Sequence, residues 1–372
     1  MITDHSTGDV ACDSYDLWNT DIKLLKYLNV DYYRFSLSWS RLLPSGFATH
    51  VNPDGVRYYN NLIDGLLSNG IAPVVTLYHW DLPQSLQDLG GWTNPLIADY
   101  FEDFARVAFG LFGDRVKAWI TINEPASICV GTYENGEGAP AYVESPGIGL
   151  YLCGKTILLA HAKAYRLYDT EFRQTQLGET QQCLKHNLVS NVEFSPGIVG
   201  ITIDSIWAEP KTNSTVDVIA AEREMQFGLG WWANPIFSAS GDYPEIMKVR
   251  IAENSKRENF TKSRLPALNP SEVKLIQGTF DFFGLNHYHT WLIADHEYQY
   301  NRSSYQKDKG TLGTKNPDWK PTPEIVPWGF RKLLNWVKTQ YNNPLVVVTE
   351  NGFGDAGGLK DRNRVIFLYV SI

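Results

Sequence analysis

Two glutamates stand out because each follows a short apolar run at the point where the chain must turn. Glu350 lies near the end of LVVVTENG (345–352), and Glu124 near the end of VKAWITINEP (116–125). Apolar runs of this kind are typical of strands buried on both faces of a parallel sheet. A charged side chain at such a strand tip costs free energy unless it has a partner or a function. We therefore expect one site that holds both glutamates, where the two strand ends converge.

The elements that must position these residues alternate between strands and helices. Apolar runs predict strands at residues 31–39, 72–80, 116–125, 197–204, 279–288 and 345–352. Apolar residues spaced three and four apart predict helices at residues 15–28, 58–67, 97–111, 157–168, 216–230 and 330–341. The intervening residues 124–150, 174–196 and 290–325 are predicted to be loops.

This alternation predicts an α/β fold with a parallel sheet, either a barrel or a doubly wound sheet. Polar residues gather at the predicted strand ends, where Arg34, His79 and Tyr288 accompany the two glutamates. In a (β/α) barrel the active site lies at that face. A doubly wound sheet more often carries a glycine-rich phosphate loop, which the sequence lacks. We therefore favour a barrel, although six strands are predicted where a closed barrel has eight. No linker divides the chain, so we expect one domain across residues 1–372.

Composition excludes several kinds of partner. The net charge of −8 argues against nucleic acid and against anionic membranes. No apolar run approaches the length of a membrane span. The sequence is 13% aromatic, with 12 tryptophans, and sugar sites are commonly lined by aromatic ring faces. A small-molecule sugar is therefore a better candidate ligand than a macromolecule.

Cysteines and sequons bear on the compartment. Cys12, Cys129, Cys153 and Cys183 have no metal-type spacing. One or two disulfides and free buried thiols are both open. Glycosylation sequons begin at three asparagines, Asn213, Asn259 and Asn301. The first residues have neither a charged start nor an apolar core, so no signal peptide is visible. The sequons favour a secreted, lysosomal or luminal location for the complete parent protein.

Several segments together resemble glycoside hydrolase family 1, the β-glucosidase family. They occur in the family's order and cover nearly the whole chain. The segments are YRFSLSWSRLLPSG, YHWDLPQSL, WITINEP, HAKAYRLY, NPIFSASGDYPEIM, DFFGLNHY, VPWGFRKLL and VVVTENGF. The two carboxylate motifs, ITINEP and TENG, carry most of the specificity.

The resemblance implies a (β/α)8 barrel that hydrolyses β-glycosides with retention, through a covalent glycosyl–enzyme. Glu350 matches the family's nucleophile. Glu124 matches the acid/base, which protonates the leaving oxygen and then takes a proton from water. Arg34 resembles the arginine that keeps the nucleophile ionised, and Tyr288 the tyrosine that hydrogen-bonds it. Asn123 matches the asparagine that holds the sugar 2-hydroxyl.

Three further residues are expected to bind substrate. His79 resembles a ligand of a glycone hydroxyl, with Trp80 beside it and Asn286 nearby. Simpler structural roles stay open for some candidates: Arg34 as an ion-pair partner, His79 as a structural residue, and Trp80 as a packing residue. His161 lies on an apolar helical face and is expected to be a core histidine outside the site.

The sequence also departs from the family pattern. Relative to the family, the first strand and the eighth strand are absent, together with their sugar ligands, so we expect an incomplete barrel, truncated at both ends. The strands at residues 32–39 and 345–349 would then be unpaired apolar edges. The family's aglycone-side tryptophan is replaced by Thr322, with Trp319 close but out of register.

Competing functions follow from these matches and departures. The first is a retaining β-glucosidase-like O-glycosidase. The alternative is a truncated non-catalytic isoform or a klotho-like pseudoenzyme that acts as a binding protein. Both glutamates are present, which favours the enzyme, although the open barrel predicts weak activity. S-glycosidases are a third class, but plant enzymes of that class replace the acid/base, so Glu124 favours O-glycosides. We expect a small-molecule β-glycoside substrate, no cofactor and no metal.

Overall fold

The chain is described by a computed structural model over residues 6–141, 145–176, 197–299, 302–319, 325–352, 354 and 360–371. Most of the predicted loop at 174–196 lies outside these residues, as do Cys183, Asn301 and Thr322. Across this part of the chain, helices and strands alternate as the apolar periodicity predicts.

The strands, in chain order, are β1 (Tyr32–Ser36), β2 (Ala72–Tyr78), β3 (Ala118–Asn123), β4 (Ile198–Asp204), β5 (Trp207–Pro210), β6 (Phe282–His287), β7 (Thr290–Asp295), β8 (Thr311–Thr314) and β9 (Val346–Asn351). The helices are α1 (Ser14–Leu28), α2 (Trp39–Leu42), α3 (Pro53–Ser68), α4 (Gln84–Gln87), α5 (Ile97–Phe112), α6 (Pro125–Tyr133), α7 (Gly149–Leu167), α8 (Thr215–Met225), α9 (Trp231–Phe237), α10 (Glu245–Arg257), α11 (Pro270–Ile276), α12 (Tyr305–Lys309), α13 (Pro327–Gln340) and α14 (Arg362–Ser371). Every strand and helix predicted above is present.

Two of the predicted loops are wrong. Residues 124–150 contain helix α6 and the start of α7. Pro125 begins α6, and proline suits the first helical turn because its missing N–H would be unpaired there anyway. Residues 290–325 contain β7, α12 and β8. These elements are short and lie among polar residues and prolines, so they give no apolar periodicity in the sequence.

The described chain forms two compact units. The first comprises Met1–Asn123 and Ala160–Ile201. In it β1, β2 and β3 are parallel neighbours, and the first half of β4 follows β3. All six residues of β3 are buried. Helices α1 and α3 pack together through an apolar cluster that includes Ile22, Leu62 and Leu66.

The second unit comprises Glu124–Leu159 and Thr202–Ile372. In it the last residues of β4 are followed by β6 and β9, which are parallel. The pairing of β6 with β9 is irregular between Leu285 and Asn286, and beyond that point Asn286 lies opposite Glu350. A separate three-stranded sheet has the order β5-β7-β8, with β7 and β8 antiparallel.

Strand β9 is less buried than its apolar sequence predicts. Val347 is 38% exposed and Val348 is 44% exposed, whereas all six residues of β6 are buried. Among the described strands, β9 has only β6 as a neighbour. The expectation of burial on both faces is therefore wrong, and the expectation of an apolar edge at 345–349 agrees with the structure. The domain prediction for residues 1–372 stays a prediction. None of the described helices has the length and apolarity needed to cross a bilayer.

Candidate active site

Glu124 is held at the junction between β3 and α6. Its carboxyl group is buried, with only 8% of the residue exposed. Its Oε1 accepts a hydrogen bond from Nδ2 of Asn286 at 2.7 Å, and its Oε2 accepts one from the Ser127 hydroxyl at 3.1 Å. The backbone N–H of Glu124 donates to the carbonyl of Thr202 at 2.9 Å. Both carboxyl oxygens and the backbone N–H of Glu124 are therefore hydrogen-bonded to other residues.

The backbone of Glu124 is strained. Its φ of 49° lies in the left-handed region, which is unfavourable for a residue with a side chain. Pro125 starts the following helix directly, so the whole change of direction falls on Glu124. Strained residues of this kind cluster at functional sites, where the surrounding structure enforces them. The observation supports a functional role for this glutamate.

Glu350 lies on β9, the neighbour of β6, where it is paired with Asn286 in the register of the two strands. The Tyr288 hydroxyl donates to Oε2 of Glu350. Tyr288 and Asn286 are two residues apart, and side chains at that spacing along an extended chain point to the same face. Asn286 thus contacts Glu124 and Tyr288 contacts Glu350. One short segment at the end of β6 positions both glutamates.

The orientation of the Asn286 amide is fixed by two threonines. The Thr349 hydroxyl donates to Oδ1 of Asn286 at 2.6 Å, and the Thr202 hydroxyl donates to Thr349 at 3.1 Å. With Oδ1 engaged as an acceptor, the amide nitrogen faces Glu124 as a donor. Sequence reasoning selected Asn286 but missed both threonines, because a hydroxyl within an apolar strand gives no pattern of its own.

A third acidic residue, Asp204, belongs to the same place and was also missed. It ends β4, and its Oδ1 is buried with no hydrogen-bond partner among the described residues. Burial, followed by the charge of Glu124 and then that of Glu350, raises the pKa of Asp204 to about 7. We call Asp204, Glu124 and Glu350 the acidic cluster. The sequence carries the same signal for Asp204 as for the two glutamates, because Asp204 is an acidic residue at the end of an apolar run.

The remaining predicted residues meet around Asn123, which is fully buried. Nη2 of Arg34 donates to Oδ1 of Asn123 at 2.6 Å, and Nε of Arg34 donates to the Thr76 hydroxyl at 3.1 Å. Nδ2 of Asn123 lies 3.2 Å from Nε2 of His79. The indole N–H of Trp80 donates to the carbonyl of Asn123 at 2.9 Å. We call Arg34, His79, Trp80 and Asn123 the Asn123 cluster.

These contacts define a protonation state for His79. Arg34 has only donors, so it must face the oxygen of the Asn123 amide. The amide nitrogen therefore faces His79, whose Nε2 must accept. A neutral His79 then carries its proton on Nδ1. Trp80 has a φ of 81° and is 46% exposed, so its ring does not simply pack in the core.

Three further features of the sequence can be compared with the structure. His161 is a core histidine, fully buried with Nδ1 2.7 Å from the Thr121 hydroxyl, as predicted. Trp319 packs against Trp328 with ring centroids 5.4 Å apart. Cys129 and Cys153 form a disulfide that joins α6 to α7. Within the described chain, no group of three or more His, Cys, Asp or Glu side chains is arranged to hold a metal ion.

Known proteins similar to this chain share one family. The sequence profile of glycosyl hydrolase family 1 matches residues 1–370. Myrosinase 1 of Brevicoryne brassicae is 43% identical over 99% of this chain and 75% of its own length. The cytosolic beta-glucosidase of Homo sapiens is 42% identical over 97% of this chain and 73% of its own length. The human lactase/phlorizin hydrolase is 42% identical over 99% of this chain, which spans only 18% of that protein.

Solved structures give the same result. An aphid myrosinase has a TM-score of 0.88 at 42% identity, covering 99% of this chain and 76% of its own. A rice beta-glucosidase has a TM-score of 0.86 at 36% identity, covering 99% of this chain and 77% of its own. The similarity therefore extends over nearly all of the chain and about three quarters of these solved structures.

Proposed function

This chain belongs to glycosyl hydrolase family 1, and we propose that it cleaves β-O-glycosides by a double displacement. The predicted (β/α)8 barrel class is confirmed by the structural match to an aphid myrosinase and a rice beta-glucosidase. In the proposed reaction Glu350 attacks the anomeric carbon while Glu124 protonates the departing oxygen. Water then attacks the glycosyl–enzyme, Glu124 takes its proton, and Glu350 is released.

One observation carries this proposal. Asn286 and Tyr288, two residues apart, each donate a hydrogen bond to a different glutamate. A retaining glycosidase needs its two carboxyl groups about 5–5.5 Å apart, and contacts of both side chains with one rigid element help to keep such a separation. The end of β6 is suited to that task. The effect of both glutamates on Asp204 is further support for their convergence.

The partners of Glu124 suit a group that gains and loses a proton. The amide nitrogen of Asn286 can only donate, so it contacts Oε1 in both protonation states. The Ser127 hydroxyl can donate to an ionised Oε2 or accept from a protonated one. Glu124 can thus alternate between acid and base while its position stays fixed.

We assign sugar binding to the Asn123 cluster. His79, whose ring lies beside the Asn123 amide, is proposed to bind a glycone hydroxyl. Asn123 is proposed to hold the 2-hydroxyl, a contact that strengthens in the transition state. Trp80 offers an exposed ring face against which a sugar can stack. The proposed role of Arg34 beside the nucleophile remains a prediction.

The test measures turnover of an aryl β-glucoside. Release of the phenol during the first turnover is followed by stopped-flow kinetics. A burst is expected where hydrolysis of the glycosyl–enzyme is slow. Glu350→Gln should lower kcat by about four orders of magnitude or more. Glu124→Gln should affect a poor leaving group far more than dinitrophenol, because the latter needs little protonation.

The matched control is Glu137→Gln, which changes an exposed glutamate and should leave kcat unchanged. Equal losses in all three variants would refute the assignment of the two residues. Binding of β-glucosides with no turnover by the wild-type chain would refute the hydrolase and favour the non-catalytic binding protein. A thioglycoside cleaved faster than its oxygen analogue, with little effect of Glu124→Gln, would instead indicate an S-glycosidase.

We further propose that the protein matures in the secretory pathway. The Cys129–Cys153 disulfide supports this, since structural disulfides persist in oxidising compartments. Asn213 and Asn259 are both exposed, as glycan attachment requires. Expression in a eukaryotic secretory host should give a product whose mass falls after removal of N-glycans. A product of unmodified mass with both thiols reduced would contradict this location.

A further inference from the structure

Asp204 is an acidic residue to which the double displacement gives no task. We propose that it is a positioning residue whose negative charge acts on Glu124 and Glu350 and so sets the alkaline limit of the reaction. The proposal rests on the function proposed above.

The backbone holds Asp204 between the elements that carry the proposed catalytic residues. Two residues before it, the carbonyl of Thr202 accepts the N–H of Glu124 at 2.9 Å. One residue after it, the N–H of Ser205 donates to the carbonyl of Asn286 at 3.0 Å. Asp204 therefore cannot move away from Glu124 or from β6 without breaking these bonds.

The side chain of Asp204 is poorly compensated. The residue is partly buried, and its Oδ1 is closed to water and makes no hydrogen bond within the described chain. Three described side chains interact electrostatically with Asp204: Glu124 after β3, Glu350 on β9 and Tyr305 on α12. Two are carboxyl groups, and the third is a phenol whose hydroxyl donates to the carbonyl of Phe227. A buried carboxylate among such neighbours is costly, so the neutral form of Asp204 is favoured.

The sign of the effect on catalysis follows from this arrangement. Burial and the two glutamates raise the pKa of Asp204 to about 7. Below that pH a neutral Asp204 exerts no charge on its neighbours. Above it, an ionised Asp204 repels negative charge on Glu124 and so favours the protonated acid that the first step requires.

Replacing Asp204 by asparagine keeps its shape and removes its charge. Asp204→Asn should leave the acidic limb of the kcat/KM profile in place and move the alkaline limb to lower pH by half to one unit. The ratio of kcat/KM at pH 8 to that at pH 6 should then fall by about three- to tenfold relative to wild type. Asp81→Asn is the matched control, since Asp81 is another aspartate whose pKa is raised, to about 6, mainly by burial. That control should leave the ratio unchanged.

A second measurement does not depend on turnover. The melting temperatures of wild type, Asp204→Asn, Glu350→Gln and the double variant are compared from pH 5 to pH 9. Asp204→Asn should raise the melting temperature by an amount that grows from pH 5 to about pH 7 and then levels off. That gain should shrink when Glu350 is already neutralised, because part of the repulsion is gone. The gain from Asp81→Asn should be the same with and without Glu350→Gln.

The outcomes separate the two proposals. A wild-type chain without turnover contradicts the hydrolase, while the melting data still decide whether Asp204 is coupled to Glu350. An active chain whose pH profile is unchanged by Asp204→Asn overturns the role proposed for Asp204 and leaves the hydrolase intact. A melting gain that is the same at every pH, or is unaffected by Glu350→Gln, also overturns it.

Discussion

Replacing Asn286 by leucine tests how one side chain can organise a catalytic pair. Asn286 is fully buried. Its Nδ2 donates a hydrogen bond to Glu124 at 2.7 Å, and its Oδ1 accepts one from the Thr349 hydroxyl at 2.6 Å. Leucine has the same number and branching of side-chain heavy atoms but neither polar group. The substitution therefore leaves no cavity and removes the hydrogen bonds.

The cost can be worked out from these two contacts. A hydrogen bond to a charged group contributes about 1.5–3 kcal/mol, and a neutral one about 0.5–1.5 kcal/mol. Glu124 loses the first kind and the Thr349 hydroxyl loses the second. We expect Asn286→Leu to destabilise the fold by about 2–4 kcal/mol. If Glu124 is the acid/base, its loss of orientation should also lower kcat by about 10- to 100-fold.

The assay compares this variant with Asn254→Leu. Asn254 is also buried, and its Nδ2 donates to the buried carboxylate of Asp308 at 3.0 Å, so the same kind of bond is lost away from the acidic cluster. Both variants should unfold at lower urea concentration than wild type. Only Asn286→Leu should lose kcat per folded molecule, measured with an aryl β-glucoside at a temperature where both are native. Equal kcat in the two variants would refute the idea that Asn286 holds Glu124.

Four other substitutions test separate parts of the structure. Tyr288→Phe removes the hydroxyl that donates to Glu350 and should lower kcat by about tenfold or more while changing the urea midpoint little; an unchanged kcat would contradict the contact's role. Cys129→Ser opens a disulfide between residues separated by 24 positions and should cost about 3 kcal/mol in the same unfolding assay, whereas wild type treated with a reductant should match the variant. The pKa of Asp81 is about 6 in the folded protein, against an ordinary value of 3.8. Between these two pH values the native state binds more protons than the unfolded state, so the free energy of unfolding falls as the pH rises. Asp81→Asn should remove this slope, worth about 3 kcal/mol, and a slope that persists in the variant would assign it to other groups. Val348→Lys places a charge on an exposed position of β9 and should reduce self-association by light scattering with little change in melting temperature; equal association by both proteins would exclude this edge as its cause.

The two glutamates could be found from the sequence because each occupies a position that is energetically unfavourable for a charged side chain. An acidic residue at the end of an apolar strand is unfavourable without a compensating role, so Glu124 and Glu350 stand out without any knowledge of their partners. Asp204 carries the same signal and was overlooked because GIVGITID lacks the asparagine and the turn residues that accompany the other two. An acidic residue at the end of an apolar run therefore marks all three members of the acidic cluster.

Other parts of the site could not be read from the sequence. Thr202 and Thr349 fit a buried strand as well as valine does, and only the contacts of the fold reveal their hydroxyls as partners within one network. Helix α6 was hidden for a related reason. Its residues PASICVGTY have no apolar face at helical spacing, so periodicity gave no signal, and the helix is instead anchored by Pro125 at its start and by the disulfide at Cys129.

Helix α6 also explains how the strained conformation of Glu124 can persist. A φ of 49° costs on the order of 1–2 kcal/mol for a residue with a side chain, and β3 could end without it if the chain were free to relax. It is not free, because Glu124 is bonded to Thr202 through its backbone and to Asn286 through its side chain, while α6 is tied to α7 at Cys129. The buried carboxyl groups add further cost, since the Asp204 carboxyl lies near two more. The contacts of Glu124 with Thr202, Asn286 and Ser127 thus hold a strained residue in place beside a second buried acidic side chain.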